Sequence, residues 1–190
     1  MLRRILSRNL ANKRLILPIE FLLKMSLVYI GWRCFKYVAE SNEGFLWGGW
    51  FWLKNTLGNS ITTCAAYILQ AANYTLFYEG RTLILQGTNG IYFADLCLGV
   101  APMVIFTGFI LSYGTNFKNK LWFIPLGIFL IFCINVVRVV ALALIQLHLP
   151  HYFQLAHSYL YVLITYGLIF ILVMWWMNKL ADNKIVVLQK

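Results

Sequence analysis

The sequence predicts an all-α integral membrane protein with about four to six transmembrane helices. An interfacial amphipathic helix and a short β-hairpin on the outer side complete that expectation. Three observations carry it. Of the 190 residues, 61% are hydrophobic and only 12% charged, where a soluble domain usually has about 45–50% and about 25%; mean hydropathy is +0.73. The apolar residues are gathered into long runs rather than scattered. The charge is one-sided, with 16 Lys and Arg against 6 Asp and Glu, and the basic residues stand between the runs, as they do in cytoplasmic loops. This composition argues against a disordered chain, a water-soluble enzyme and a nucleic-acid partner. The length suits a single multi-pass membrane domain over residues 1–190.

Taken in order, residues 1–14 carry Arg3, Arg4, Arg8, Lys13 and Arg14 and no acid. The run Leu15–Leu23 follows, interrupted by Glu20 and Lys24, and continues through Met25–Trp32. No small-residue cleavage site stands out, so the segment reads as an uncleaved anchor with a cytoplasmic N-terminus. Residues 39–56 set Gly44, Gly48 and Gly49 among Phe45, Trp47, Trp50, Phe51 and Trp52, an aromatic interfacial segment. Leu57–Phe77 is long enough to span. At 100° per residue, however, Asn59, Thr62, Thr63, Gln70 and Asn73 fall within an arc of about 100°, opposite Leu57, Ile61, Ala65, Ile68 and Ala72. That is an amphipathic helix, lying along the interface or lining a polar cavity. Thr82–Gln86 and Ile91–Ala94 flank Gly87-Thr88-Asn89-Gly90, which predicts a hairpin able to add a strand to an extended peptide. Three apolar runs close the chain: Leu98–Tyr113, Leu121–Leu147 with Arg138 as its single charge, and His157–Met177.

The basic clusters choose between topologies. If Leu57–Phe77 spans, the chain crosses five times, and Lys118, Lys120 and the Lys-bearing C-terminus fall outside. If it does not, four crossings place the N-terminus, the Lys118–Lys120 loop and the C-terminus all in the cytoplasm. The second arrangement satisfies every cluster and is preferred; two further crossings within 39–77 would leave the sidedness unchanged. Depth follows from it. Cys97 opens the second span at its outer end. Arg138, seventeen positions beyond Leu121, stands about 26 Å up a core about 30 Å thick. His157 opens the last span at the same outer face.

Four cysteines stand at 34, 64, 97 and 133 with no CxxC pair and no zinc-like Cys/His spacing, so no metal and no cofactor is expected. Cys34, Cys64 and Cys133 read as small apolar packers. Cys97 differs: it follows Asp95 at a strand-to-helix junction, precedes Gly99 and shares its depth with a cation, the setting of a nucleophilic thiol. Arg138 keeps its proton, costs about 2.5–3.5 kcal/mol at a bilayer centre, and less near the interface, so it needs a partner. Each residue alone has a plainer reading: a packing thiol, a snorkelling arginine, an interfacial histidine. Together, Cys97, Arg138 and His157 suggest acyl transfer, in which a thiolate attacks a carbonyl, an imidazole moves the proton and a guanidinium holds the oxyanion. His148 and His151 read as solvated residues of the outer loop, either able to act as base if the depths differ. Asp95 is placed to orient His157, to neutralise Arg138, or to act as a turn acid. Two other classes compete: a non-enzymatic transport or assembly component in which Arg138 is structural, and an enzyme using His148 or His151 with Arg138 on a lipid-linked phosphate.

Ala94-Asp95-Leu96-Cys97-Leu98-Gly99, Asn135-Val136-Val137-Arg138 and Ala156-His157-Ser158-Tyr159-Leu160-Tyr161, in that order, resemble the exosortase/archaeosortase family of integral-membrane cysteine transpeptidases. The Arg81–Ala94 lead-in is similar too, and the resemblance covers about residues 75–175. Asp95 and Leu98 stand where many members carry Glu and a small polar residue. The resemblance implies Cys97 as nucleophile, Arg138 as transition-state stabiliser and His157 as acid and base. It implies as substrates exported proteins with a C-terminal sorting tail: a short motif, a membrane helix and a basic cluster. Cleavage through a thioester and transfer to a surface acceptor, a polysaccharide or a lipid-linked molecule, would take place on the outer face. Membrane lipids would surround the chain. The implied location is the bacterial cytoplasmic membrane, with the site facing the periplasm or exterior.

Overall fold

A computed structural model describes residues 23, 26–40, 45–112 and 117–177. The basic N-terminus, most of the Leu15–Leu23 run and the C-terminal lysines lie outside the described residues. The elements are α1 (residues 26–40), α2 (Phe45–Ala71), β1 (Leu76–Glu79), β2 (Thr82–Leu85), β3 (Ile91–Tyr92), a 3₁₀ turn (Asp95–Cys97), α3 (Val100–Ser112), α4 (Phe117–His148) and α5 (Pro150–Trp175). The fold is mostly helical with one small antiparallel sheet.

Among the described residues two helices are long and apolar enough to cross a membrane: α4, with 32 residues, and α5, with 26. Helix α3 is apolar but has 13 residues, about 20 Å of rise. It falls short of the roughly 20 residues a full crossing needs, so the span expected over Leu98–Tyr113 is a shorter helix among the described residues. Lys120, expected in a cytoplasmic loop, lies in the first turn of α4, where it is buried and donates to the Leu111 carbonyl at 2.8 Å. It thereby satisfies one of the orphan carbonyls at the end of α3.

The region expected as one amphipathic helix is divided differently. Helix α2 begins at Phe45, so the aromatic segment is helical too, and it stops at Ala71. Its end is a Schellman motif: Asn73 has φ +64°, Tyr74 N–H donates to Leu69 O at 3.0 Å, and Asn73 N–H donates to Gln70 O at 2.9 Å. Asn73 therefore terminates the helix instead of extending its polar arc. Leu76 and Phe77 fall in strand β1, which the sequence reading had absorbed into that helix. The buried stripe of α2 is Ile61, Ala65 and Leu69 with Thr62 and Ala66. Thr62 belongs to the core, its hydroxyl donating to Gly58 O at 3.0 Å, while Ile68 and Ala72 are exposed.

The hairpin is present as β2 and β3, paired Thr82↔Tyr92 and Leu83↔Ile91. β1 adds a third strand through the pairs Glu79↔Thr82 and Leu76↔Leu85, joined by a two-residue turn with Gly80 at φ +54°, the conformation that a glycine at the first central position permits.

Two apolar cores divide the length of α4. One joins Phe106, Phe109 and Ile110 of α3 with Phe123 and Ile131 of α4 and with Ile169 and Leu172 of α5. The other joins α2 and the sheet (Leu83, Leu85, Ile91, Phe93) to Val136, Val139, Leu142 and Ala143 of α4 and to Ala156 and Tyr161 of α5. The seam lies between Ile131 and Val136. In the first core α3 and α4 touch closely, because Gly127 leaves room where an added Cβ would strike the Phe106 ring. Gly127→Ala should therefore lower stability by about 1–3 kcal/mol as an overpacked core does. A thermal unfolding series in detergent would check this, and Phe106→Leu in the same chain should recover part of the loss.

Candidate active site

Cys97 ends the short 3₁₀ turn that bridges the sheet and α3. The bridge is anchored at both ends by buried side chains, Phe93 and Leu98. Cys97 N–H donates to Ala94 O at 2.8 Å, closing the 3₁₀ turn. Gly99 then takes φ +74°, a region open to glycine at little cost. An added Cβ there would run into the amide of Asn135. Asn135 is almost fully buried on α4 and donates to Ile131 O at 2.9 Å. This close approach sets the position of the bridge along α4, and one helical turn above Asn135 stands Arg138.

The guanidinium of Arg138 donates from Nη2 to Cys97 Sγ at 3.6 Å. Its carbon lies 5.5 Å from the ring centre of Tyr161, a cation–π arrangement on a buried ring. Arg138 Nε is buried and has no hydrogen-bond partner among the described residues. The imidazole of His157 places Nε2 3.6 Å from the same sulfur. His157 lies in a π turn, Ala156–Leu160, within α5. A π turn inserts a residue into the helical ladder and redirects side chains, and such turns are frequent at functional sites. The Phe153 ring stacks on the imidazole at 6.0 Å and 16°. The three residues singled out from the sequence thus meet at one sulfur, each brought by a different element.

Asp95 does not touch His157 or Arg138 in the way the sequence suggested. Its carboxylate is bound by Lys54 of α2 at 2.6 Å and by Arg81 of the β1–β2 turn at 2.5 Å. Lys54 also reaches Glu40 at 3.7 Å and lies over the Trp50 ring at 5.5 Å. Burial alone would raise the Asp95 carboxyl, but the hydrogen bonds and charges of Lys54 and Arg81 outweigh it and hold the group below its ordinary value. These ion pairs tie α2 and the sheet to the residue two before Cys97. Lys54 and Arg81 escaped sequence reading. The available signals were a lone lysine in an aromatic helix and an arginine after a turn glycine. His148 pairs with Tyr74, Nε2 to hydroxyl 3.4 Å, and His151 is exposed; neither belongs to the hydrogen-bonded group at Cys97. Cys34 and Cys64 are exposed and Cys133 is half-buried, all with free thiols.

Two measurements test this geometry. Gly99→Ala should force Asn135 aside and strain a positive-φ position by about 1–2 kcal/mol, changing the alkylation rate of Cys97 while α4 stays helical. For Asp95 the pH sign follows from its lowered folded value: its stabilisation is complete above the ordinary carboxylate value of about 3.9 and is lost as pH falls through the folded one. Asp95→Asn should therefore change the unfolding midpoint little in its pH dependence from neutrality down to about pH 5, and flatten the acid limb below about pH 4.

A family model described as transmembrane exosortase matches residues 14–178 of the chain. No curated protein and no solved structure matched it. The matched region takes in most of the sequence and all of the cluster around Cys97, and with two helices fit to cross a bilayer the chain belongs to the transmembrane exosortase family of membrane proteins.

Proposed function

We propose that the chain is a membrane-embedded cysteine transpeptidase that cleaves the C-terminal sorting tail of exported proteins and passes them to a surface acceptor. The observation that carries this reading is the shared sulfur: His157 Nε2 and Arg138 Nη2 both lie 3.6 Å from Cys97 Sγ. A base and a fixed cation on one thiol are what a nucleophilic cysteine needs.

The chemistry runs in two halves. His157 Nε2 takes the proton from Sγ, and the thiolate attacks the carbonyl carbon of the scissile peptide bond. The carbon–oxygen double bond opens to an oxyanion beside the sulfur. Arg138, whose charge persists at any working pH, is next to where that negative charge develops. Its buried, unpartnered Nε–H is a donor that an arriving oxygen would satisfy. The C–N bond then breaks, the leaving amine takes the proton from His157, and a thioester remains on Cys97. In the second half an acceptor nucleophile, an amine, a hydroxyl or water, gives its proton to His157, attacks the thioester and releases the thiol. Partial exclusion of water by the flanking apolar cores strengthens each electrostatic step.

In this reading the protein lies in the cytoplasmic membrane of a bacterium, with the sheet-bearing end of α4 on the outer face. Arg138 is ten residues before the end of α4, about 15 Å along the axis, which sets the reacting sulfur at the height where a membrane tail leaves the bilayer.

The test is mass spectrometry of exported proteins from cells carrying the wild-type or the Cys97→Ala chain. Cys97→Ala should leave the mature C-termini of the substrates unprocessed; unaltered C-termini would sink the reading. His157→Ala should slow processing by about 10²–10⁴-fold, the usual worth of a positioned acid–base. Removal of the oxyanion donor by Arg138→Gln should slow it by about 10²–10³-fold.

A further inference from the structure

The sheet ahead of Cys97 has an edge that the chemistry above leaves unused. Its strand order is β1-β2-β3. β2, the strand whose segment opens the hairpin, is interior and paired on both sides. β3 is at the edge and leads directly into Cys97.

Which of its backbone groups face outward follows from the alternation of an antiparallel ladder. Phe93 N–H donates to Arg81 O at 3.0 Å, in step with the pairs Leu83↔Ile91 and Thr82↔Tyr92. Residues 91 and 93 therefore turn their backbone groups toward β2, and Gly90, Tyr92 and Ala94 turn theirs away. The Gly90 carbonyl fits this parity, since it accepts from Gln146 Nε2 of α4 at 3.2 Å. The Ala94 carbonyl is taken by Cys97 N–H. What remains is a donor, an acceptor and a donor in a row: Tyr92 N–H, Tyr92 C=O and Ala94 N–H. Both residues are exposed, Tyr92 at 66%. Edge strands are usually protected by a charge, a proline or a bulge; Tyr92 and Ala94 carry neither charge nor proline.

We propose that this edge binds the substrate as an extended strand, parallel to β3, and feeds its scissile bond to Cys97. The inference rests on the transpeptidase reading above and names where its peptide docks. The direction follows from the fold. β3 starts beside Gln146 and the chain descends to Cys97 beside Arg138, eight residues lower on α4, or about 12 Å. A polypeptide whose C-terminal helix enters the membrane runs the same way. In a parallel ladder one substrate residue accepts from Tyr92 N–H, and the residue two further on donates to Tyr92 C=O and accepts from Ala94 N–H. The 3₁₀ turn carries the chain about 6 Å from Ala94 to Cys97. An extended substrate covers that in about two residues, so the paired residues lie about two to four positions before the scissile bond.

Tyr92→Pro tests the pairing, because it removes the outward N–H without removing a bond to β2. The reporter is an exported protein whose mature C-terminus changes on Cys97→Ala. Processing should fall about tenfold, the effect of one lost hydrogen bond with its partner left unpaired, while maleimide labelling of Cys97 stays within about twofold. Normal processing by Tyr92→Pro, with Cys97→Ala inactive, overturns the strand pairing alone. If no exported protein responds to Cys97→Ala, the transpeptidase reading falls and the pairing with it. If Tyr92→Pro does not fold, benzoylphenylalanine at position 92 in the Cys97→Ala chain decides. A cross-link within about four residues before the processed end of the reporter supports the pairing, and cross-links elsewhere or none overturn it.

Discussion

A guanidinium held in the last third of a mostly apolar helix is the constraint around which this molecule is arranged. Arg138 cannot discharge itself by losing a proton, and the 32-residue helix that carries it is otherwise uncharged from Leu121 to Leu147. A buried cation without partners is strongly unfavourable. The chain answers from two directions. The bridge after the sheet brings the Cys97 sulfur, and α5, just past its π turn, brings the face of Tyr161. Both partners are soft and polarisable rather than anionic. No carboxylate neutralises Arg138 among the described residues, which is what the proposed role of its charge requires.

The carboxylate two residues before Cys97 is engaged by other cations. Asp95 takes Lys54 and Arg81, which come from α2 and from a tight turn of the sheet. Cys97 stands on a single 3₁₀ turn rather than inside a long helix or strand, so its position depends on what fastens the bridge. Three kinds of contact do so: buried side chains at Phe93 and Leu98, the steric stop between Gly99 and Asn135, and the ion pairs at Asp95. The ion pairs are partly exposed and weaken with salt, so the steric and apolar contacts carry more of the positioning. The fold accordingly separates two tasks. The α3–α4–α5 core fits a bilayer, while α2 and the sheet hold the bridge against the far half of α4.

Much of this was legible in the amino-acid order, and the failures have particular causes. The long apolar runs of α4 and α5 were read correctly because a bilayer demands length and apolarity, both visible in one dimension. The β2–β3 hairpin was read from β-prone segments around a Gly/Asn turn. The third strand was missed because Asn73 fits a polar helix face as well as it fits a left-handed cap, and only the cap ends the helix before Leu76. α2 was started too late because Gly48 and Gly49, poor helix formers, sit inside it. The aromatic residues beside them, Trp50 with Trp32 and Phe35 among them, support the helix by packing that no local pattern records. Lys54 pairs with Asp95 across 41 positions and Arg81 with Asp95 across 14, separations at which charge alone does not select partners.

By itself the sequence determined the chemical inventory and its order along the chain: a membrane chain carrying a sulfur, a guanidinium and an imidazole at or within its last three apolar runs. Those properties depend on composition and run length, which add up along a chain. Tertiary structure alone decided that the imidazole and the guanidinium share one sulfur, that Asp95 belongs to Lys54 and Arg81, and that β2 is interior while β3 is an edge. Contacts of that kind depend on the rotation and register of elements against one another. In this molecule those are set where backbones approach closely, at Gly99 against Asn135 and at Gly127 against Phe106, by the shapes of residues far apart in the chain.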